Sequence, residues 1–239
     1  MFVVVLHYGD PALTQGIVSE LESRHAIVHV LDNAAPLPYE GKGMLRRLPE
    51  NVFWAGGFAV ALDWAREDGA THLWFCNNDI RFVSEPPHVA RLIARMRRLA
   101  GKLGRPPGVY APAVSRNPYH PQMVRRENVA FSRVCCVDGI APVVALECVE
   151  DVGGLDAADN PQGYGVDVWL SLRAHQAGWP VVVDHGMILR HEYHTTARSV
   201  PGFMPEAAWN EDRYLRSRLG PDWRESLKTW QHWQDEASW

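Results

Sequence analysis

The sequence has no apolar run near the ~20 residues that a membrane-spanning helix needs,. No GxGxxG follows its first apolar stretch, and GxxxxGK[ST] occurs nowhere. Both absences argue against a dinucleotide Rossmann site and a P-loop,. Cysteine is scarce: Cys76, Cys135, Cys136 and Cys148 show neither CxxC nor metal-type spacing. They read as buried reduced thiols of a cytoplasmic protein. No basic leader or cleavage site precedes "FVVVLHYGD", which reads as a first strand and not a signal peptide,. There is no long basic run, and the formal net charge is -4, which argues against nucleic acid as a partner,. The basic residues between Arg91 and Arg105 read as a solvated helix face. No internal repeat, low-complexity segment or linker interrupts the 239 residues, so one domain is expected,.

What is present is an ordinary globular composition, 46% apolar and 22% charged, with ten tryptophans,. "FVVVL" (2–6) is a short β-branched run suited to a strand buried on both faces. Pro11 then opens a helix with Leu13, Ile17, Val18 and Leu21 at helical spacing. Strands are expected at 26–32, "THLWFC" and 108–114, and helices at 56–68 and roughly 86–100. Residues 33–50 and 115–128 read as loops. "FSRVCCVDGIAPVVALE" is strand-rich, 166–178 is a helix closed by Gly178, and "PVVVD" and "GMILRH" read as two strands. The tail from Pro205 is helical and broken near Gly220-Pro221. Alternating strands and helices imply an α/β fold with a mixed, mostly parallel sheet flanked by helices.

Ligands of open α/β sheets bind beyond the carboxyl ends of the strands. The first strand ends at His7-Tyr8-Gly9-Asp10, the second at Asp32-Asn33 and the third at Asn77-Asn78-Asp79. Any one of these aspartates serves as well for a cap or turn. The triple Asn-Asn-Asp after an aromatic strand is harder to assign to a turn. A Mg²⁺ or Mn²⁺ held with phosphate oxygens needs only one or two protein carboxylates, and Asp79 can supply one.

In order along residues 2–223, these segments resemble the GT-A fold nucleotide-sugar glycosyltransferases, specifically the inverting family 2 group. "VHVLDNAAP" looks like that group's nucleoside-contacting "VVVDNAS". "NVFWAGGFAVALDWA" is similar to its "N-x-GFa-x-A-x-N", and "HLWFCNNDIRF" to its "yllflNnDv", the counterpart of the DxD motif. "EDVGGLD", "GYGVDVWLSLRAHQAGWPVVV", "GMILRH" and "EDRYLRSRLGPDW" follow in the family's order. The resemblance implies a Rossmann-like nucleotide-diphospho-sugar transferase domain over 1–239. Its nucleotide-sugar half would be 1–114, its acceptor and catalytic half 115–204 and its helical tail 205–239. It implies a nucleoside diphosphate sugar donor, UDP or dTDP being commonest. The acceptor would be a glycan, lipid-linked or other hydroxyl, in surface polysaccharide or glycoconjugate assembly.

By that resemblance Asp32 accepts from the nucleobase with Asn33 beside it, and Asn78 lines the sugar or ribose side. Asp79 binds the Mn²⁺ or Mg²⁺ that bridges the diphosphate. Asp167 is the general base, and His191 the late histidine that contacts metal or diphosphate. His7 and Tyr8 form either a packed aromatic pair or the floor of the nucleotide pocket. Inverting transfer needs a base at the acceptor and positive charge at the departing diphosphate, and a metal-bound carboxylate is a poor base. Two acids far apart in sequence meet that need. Asp167 near a helix start has a plain helix cap as its other reading, and the base reading is preferred to it.

Two positions depart from the family: Val166 stands where it has Glu, and Trp169 where it has a second Asp. They favour the alternative of a catalytically inactive module that binds a nucleotide sugar or glycan. A nucleotidyltransferase ranks lower, because "HYGDPALTQ" is not a Gly-rich basic loop. His194, Arg190 and Arg198 are auxiliary candidates near His191, and Asp138-Gly139 falls in the acceptor region. Arg116, Arg125 and Arg126 would suit a lid or a solvated loop. Trp223, Trp230 and Trp233 recur near helical spacing. They read as a face packed on the core or a subunit interface, with a sugar platform or peripheral membrane contact as alternatives.

Overall fold

The computed structural model describes residues 1–23, 26–192, 197 and 200–238. His194, Arg198 and Trp239 lie outside the described residues. Ten strands among the described residues form one mixed sheet, in the order β10-β7-β9-β6-β8-β4-β1-β2-β3, with β5 paired to β9. Its centre is β1 (Phe2–His7), flanked in parallel by β2 (Val28–Asp32) and β4 (His72–Asn77). All six residues of β1 are buried, as an apolar run covered on both faces requires,. Helix α1 (Pro11–Leu21) joins β1 to β2, α2 (Phe53–Glu67) precedes β4, and α3 (His88–Leu103) follows further along the chain. In α1, Asp10 accepts from the Ala12 amide at 2.8 Å and Pro11 takes the first turn, so the helix starts where expected,.

The parallel pairings lie among β1, β2, β3 and β4, and between β6 (Val109–Val114) and β9 (Val181–His191). The remaining pairings are antiparallel. They involve β5 (Ile80–Phe82), β7 (Phe131–Val134), β8 (Val143–Ala145) and β10 (Trp233–Glu236).

Several expectations need correction. Residues 44–47, read as loop, form β3, a short edge strand whose side chains mostly face solvent and so show no apolar alternation,. A short helix, α4 (Leu146–Asp151), begins at the end of the stretch read as strand-rich. "PVVVD" and "GMILRH" form one strand, β9, because Asp184 marks an irregularity and not a turn. The register against β6 shifts between Pro112 and Ala113,. Trp233 lies in β10, paired with β7, and so does not share a helix face with Trp223 and Trp230. The helix α5 (Val166–Gln176) forms as expected. The tail folds as α6 (Phe203–Leu219) and α7 (Trp223–Trp230), broken at Gly220. All four cysteines are buried free thiols.

The irregularity in β9 is held by charge. The Arg95 guanidinium of α3 donates through two nitrogens to the fully buried Asp184 carboxylate. Tyr110 Oη donates to the same carboxylate at 2.8 Å, and the Gly186 amide at 2.8 Å. Every oxygen of Asp184 is thereby occupied, which offsets its desolvation. Arg95→Ala leaves that carboxylate buried without its cation. We expect a loss of about 3–5 kcal/mol, measured by urea unfolding; a loss under about 1 kcal/mol would show that the pair does not hold the strand.

Candidate active-site cleft

A cleft of about 730 Å³ opens at the carboxyl edge of the sheet. Register explains its position. His7 pairs with Asp32 across β1 and β2, and Leu6 with Asn77 across β1 and β4, so the polar strand ends lie side by side. The antiparallel β5–β9 pair sets Ile80 opposite His191 and so brings His191 back to Asp79. Tyr8, Asn33, Asn78, Asp79, Asp167 and His191 all line the cleft.

His7 and Asp32 sit behind the lining, fully buried. The Leu37 carbonyl, 2.8 Å from His7 Nε2, requires the ring proton there,. The Thr14 hydroxyl then donates to Nδ1 at 2.7 Å and accepts from Asn78 Nδ2 at 3.0 Å. This chain ties the ends of β1 and β4 to α1. Asp32 accepts from the amides of Ala35 (2.9 Å) and Tyr39 (3.2 Å) and from Arg47. It folds the segment after β2 and fastens β3.

Asn33 organises the start of α2. Its Oδ1 accepts from the Val52 amide at 2.9 Å and its Nδ2 donates to the Phe53 carbonyl at 3.1 Å. Phe53 has φ +56°, so the helix begins three residues earlier than expected, on a backbone that needs this clamp,. Trp54 follows and donates to Asn77 Oδ1 at 3.1 Å.

Asp79 and His191 form the polar centre. His191 Nε2 lies 3.0 Å from Asp79 Oδ1, and the Glu192 amide donates to the Asp79 carbonyl at 3.0 Å. Two neighbouring ligands of one octahedral cation, each at about 2.1 Å, stand about 3.0 Å apart. A carboxylate and an imidazole at this spacing could hold a divalent cation such as Mn²⁺,. Among the described residues no third histidine, cysteine or carboxylate completes a closed metal site. Such a cation would need its ligand to be held. Arg190, proposed near this site, is exposed and paired with Glu192 at 2.8 Å.

Asp167 stands on the first turn of α5, but Gly165 takes the cap position there. The Asp167 carboxylate accepts from the Val168 amide at 2.8 Å and from the Gly139 amide. Burial pushes it up to about 8 and the charge of Asp138 adds to this, while the two amides pull it back,. Gly139 is required by close approach: a Cβ there would lie 2.6 Å from the Trp54 ring and 2.9 Å from Asp167 Oδ2.

Sequence reasoning missed one wall of the cleft. Met204, Ala207, Glu211 and Leu215 of α6 line it, as do Trp223 and Leu227 of α7. These α6 positions recur at helical spacing. A lone glutamate within that apolar stripe was the available signal. Burial raises Glu211, opposed by Arg224. The wall is anchored outside the cleft: Arg218 pairs with Asp156 at 2.9 Å and Asp159 at 3.0 Å. From the loop 115–128, the cleft is lined by Pro118, Tyr119 and His120, not by its arginines. Arg126 packs over Trp233 at 4.2 Å. Val166 is fully buried, and Trp169 donates to Asp156 at 2.8 Å; neither departure from the family lines the cleft.

No family model matches the chain. Uncharacterised proteins of Mycobacterium bovis and Mycobacterium tuberculosis are 29% identical over 202 residues, covering 83% of this chain and 76% of theirs. Two solved structures share the fold. One is GalNAc-T7 with UDP, GalNAc and Mn²⁺: TM-score 0.61, 11% identity, over 95% of this chain and 54% of that one. The other is a mannosyltransferase from Pyrobaculum calidifontis with GDP-Man and Mn²⁺: TM-score 0.58, 14% identity, over 95% of this chain and 64% of that one. The chain thus spans about half the length of the first and just under two thirds of the second. The fold is GT-A, a mixed α/β sheet flanked by helices. No helix among the described residues is long and apolar enough to cross a membrane.

Asn33→Ala removes the acceptor of the Val52 amide and frees the start of α2. We expect a loss of about 1–3 kcal/mol, read from urea unfolding; unchanged stability would refute the clamp.

Proposed function

We propose that this chain is a glycosyltransferase. It would move a sugar from a nucleoside diphosphate sugar to a hydroxyl acceptor, with inversion and with a divalent cation at the diphosphate. One observation carries the reading. The Asp79–His191 pair and the separate carboxylate Asp167 face a single cleft at the carboxyl edge of a GT-A sheet.

The residues divide the work. Asp79 and His191 would hold a Mn²⁺ or Mg²⁺, which when bound supplies positive charge to the leaving diphosphate. Tyr8, Asn33 and Asn78 line the donor side, with His7 and Asp32 holding the backbone beneath them. Asp167 accepts the proton of the attacking hydroxyl. As the new bond forms at the anomeric carbon, the bond to the diphosphate oxygen breaks and its electron pair leaves with the diphosphate. Attack from the face opposite the leaving group inverts the centre. Asp167 must be ionised to act, so its raised proton affinity places full activity on the alkaline side,.

The inactive-module alternative rests on Val166 and Trp169. The cleft loses no lining group through either, and this supports a working enzyme. The apolar face of α6 and α7 opposite the polar floor suits an acceptor that is not itself a free small sugar,. A role in surface polysaccharide or glycoconjugate assembly follows from the family resemblance.

The test is calorimetric titration of UDP, dTDP and GDP, each with and without Mn²⁺, on the wild type, Asp79→Ala and His191→Ala. We expect one nucleotide to bind in a metal-dependent way, and either substitution to weaken it at least about tenfold, or 1.4 kcal/mol. Failure of all three nucleotides under every condition sinks the reading.

A further inference from the structure

The cleft holds more carboxylates than the transfer requires. Asp79 is engaged with His191, and Asp167 stands as the base. Asp138 and Glu211 also line the cavity without a part in that scheme.

Asp138 lies on the connection between β7 and β8. The next residue, Gly139, supplies the amide that Asp167 Oδ2 accepts. From the other side Asp138 is gripped by Asn117, whose Nδ2 donates to Asp138 Oδ2 at 2.8 Å. The orientation of that amide is settled by its own network. Asn117 Oδ1 accepts from the backbone amides of Tyr119 and His120, both at 2.9 Å, so its NH₂ must face Asp138,. Asn117 is buried, while Tyr119 and His120 line the cleft. An unbroken chain of bonds therefore runs from the cleft-lining loop through Asn117 to Asp138, and through the adjoining Gly139 amide to Asp167 and the first turn of α5.

The other charges around Asp167 come from several elements. Glu211 approaches from α6, and the buried Cys136 thiol lies just past β7. Tyr164 precedes α5, and His120 comes from the loop 115–128. The cations of the cleft are engaged elsewhere: Arg224 with Asp212 at 2.7 Å and Lys228 with Glu225 at 2.7 Å. No cation offsets the Asp138–Asp167 repulsion among these contacts.

We propose that Asp138 is a positioning residue that acts through Asp167: fixed by Asn117 and joined through the Gly139 amide, it sets the aim of the base and places a like charge in the same cleft. The catalytic meaning of this rests on the glycosyltransferase reading; its physical content does not. Two like charges in one sheltered cleft do not both ionise cheaply, so the pair retains a proton that a lone aspartate would lose. A base with higher proton affinity takes the acceptor proton more readily. In the transfer, the acceptor O–H proton passes to Asp167 while the new C–O bond forms and the diphosphate departs. Asp167 then releases that proton to water past Asp138, and the free enzyme is restored.

The experiment is a carboxyl-observed NMR titration of the full chain labelled with ¹³C at aspartate, without any ligand. Resonances are assigned through the backbone, so the wild-type arm needs no variant. In the wild type, the Asp167 signal should titrate well above the ordinary carboxylate range. In Asp138→Asn, which keeps an oxygen for Asn117, the Asp167 midpoint should fall by about one pH unit or more. An ordinary Asp167 midpoint in the wild type overturns the proposal, as does an unmoved one in the variant. A merely structural Asp138 would alter stability without moving that midpoint. If UDP, dTDP and GDP all fail to bind, the glycosyltransferase reading falls, while the titration still decides whether the pair is coupled.

Discussion

The register of β1 between β2 and β4 is the constraint on which the cleft depends. Side chains alternate along a strand, so a slip by one residue would turn His7, Asp32 and Asn77 to the wrong faces and separate the strand ends,. The register is enforced twice. The fully buried "FVVVLH" run demands cover on both faces, and the Asn78–Thr14–His7–Leu37 chain locks the strand ends together. A buried polar chain of this kind is stable only when every member is satisfied. It therefore penalises misregister more sharply than the apolar core alone can.

Electrostatics divides the cleft into two polar regions. In one, an acid and an imidazole stand 3.0 Å apart. In the other, Asp167 is raised by burial and by a like charge, with the Val168 and Gly139 amides each bonded to one carboxylate oxygen. The α5 dipole favours its ionised form, and burial opposes it. Burial prevails over both amides.

Much of the parallel half was legible because its central strands are short, mostly apolar and separated by helices with apolar residues at helical spacing. Legibility fails where an element exists only through its neighbour. β3 and β10 show exposed, aperiodic faces. β10 is held by pairing with β7 and by Arg126, Arg133 and Lys102 facing Asp235 and Glu236. Asp184-His185-Gly186 looks like a turn until Arg95, 89 residues away, neutralises it. At the site, Asp79 and His191 are 112 residues apart, and only the family resemblance joined them before the β5–β9 pairing was seen. Asp32 was expected to contact the nucleobase, and His7 to be a packed aromatic or a pocket floor; the structure sets both one layer behind the cleft lining, where they hold its backbone.

The wall contributed by α6 and α7 has a consequence for biosynthesis. Ribosomes deliver the chain from its first residue, and the donor end of the cleft uses residues up to His191. The wall over Asp167 is made from residues 203 to 231 and is clamped by Arg218, so it is the last part of the cleft to be translated. A nascent chain can thus bring Asp79 and His191 together on the sheet before the wall of the cleft is made. The cleft gains its full depth only when α6 and α7 are in place.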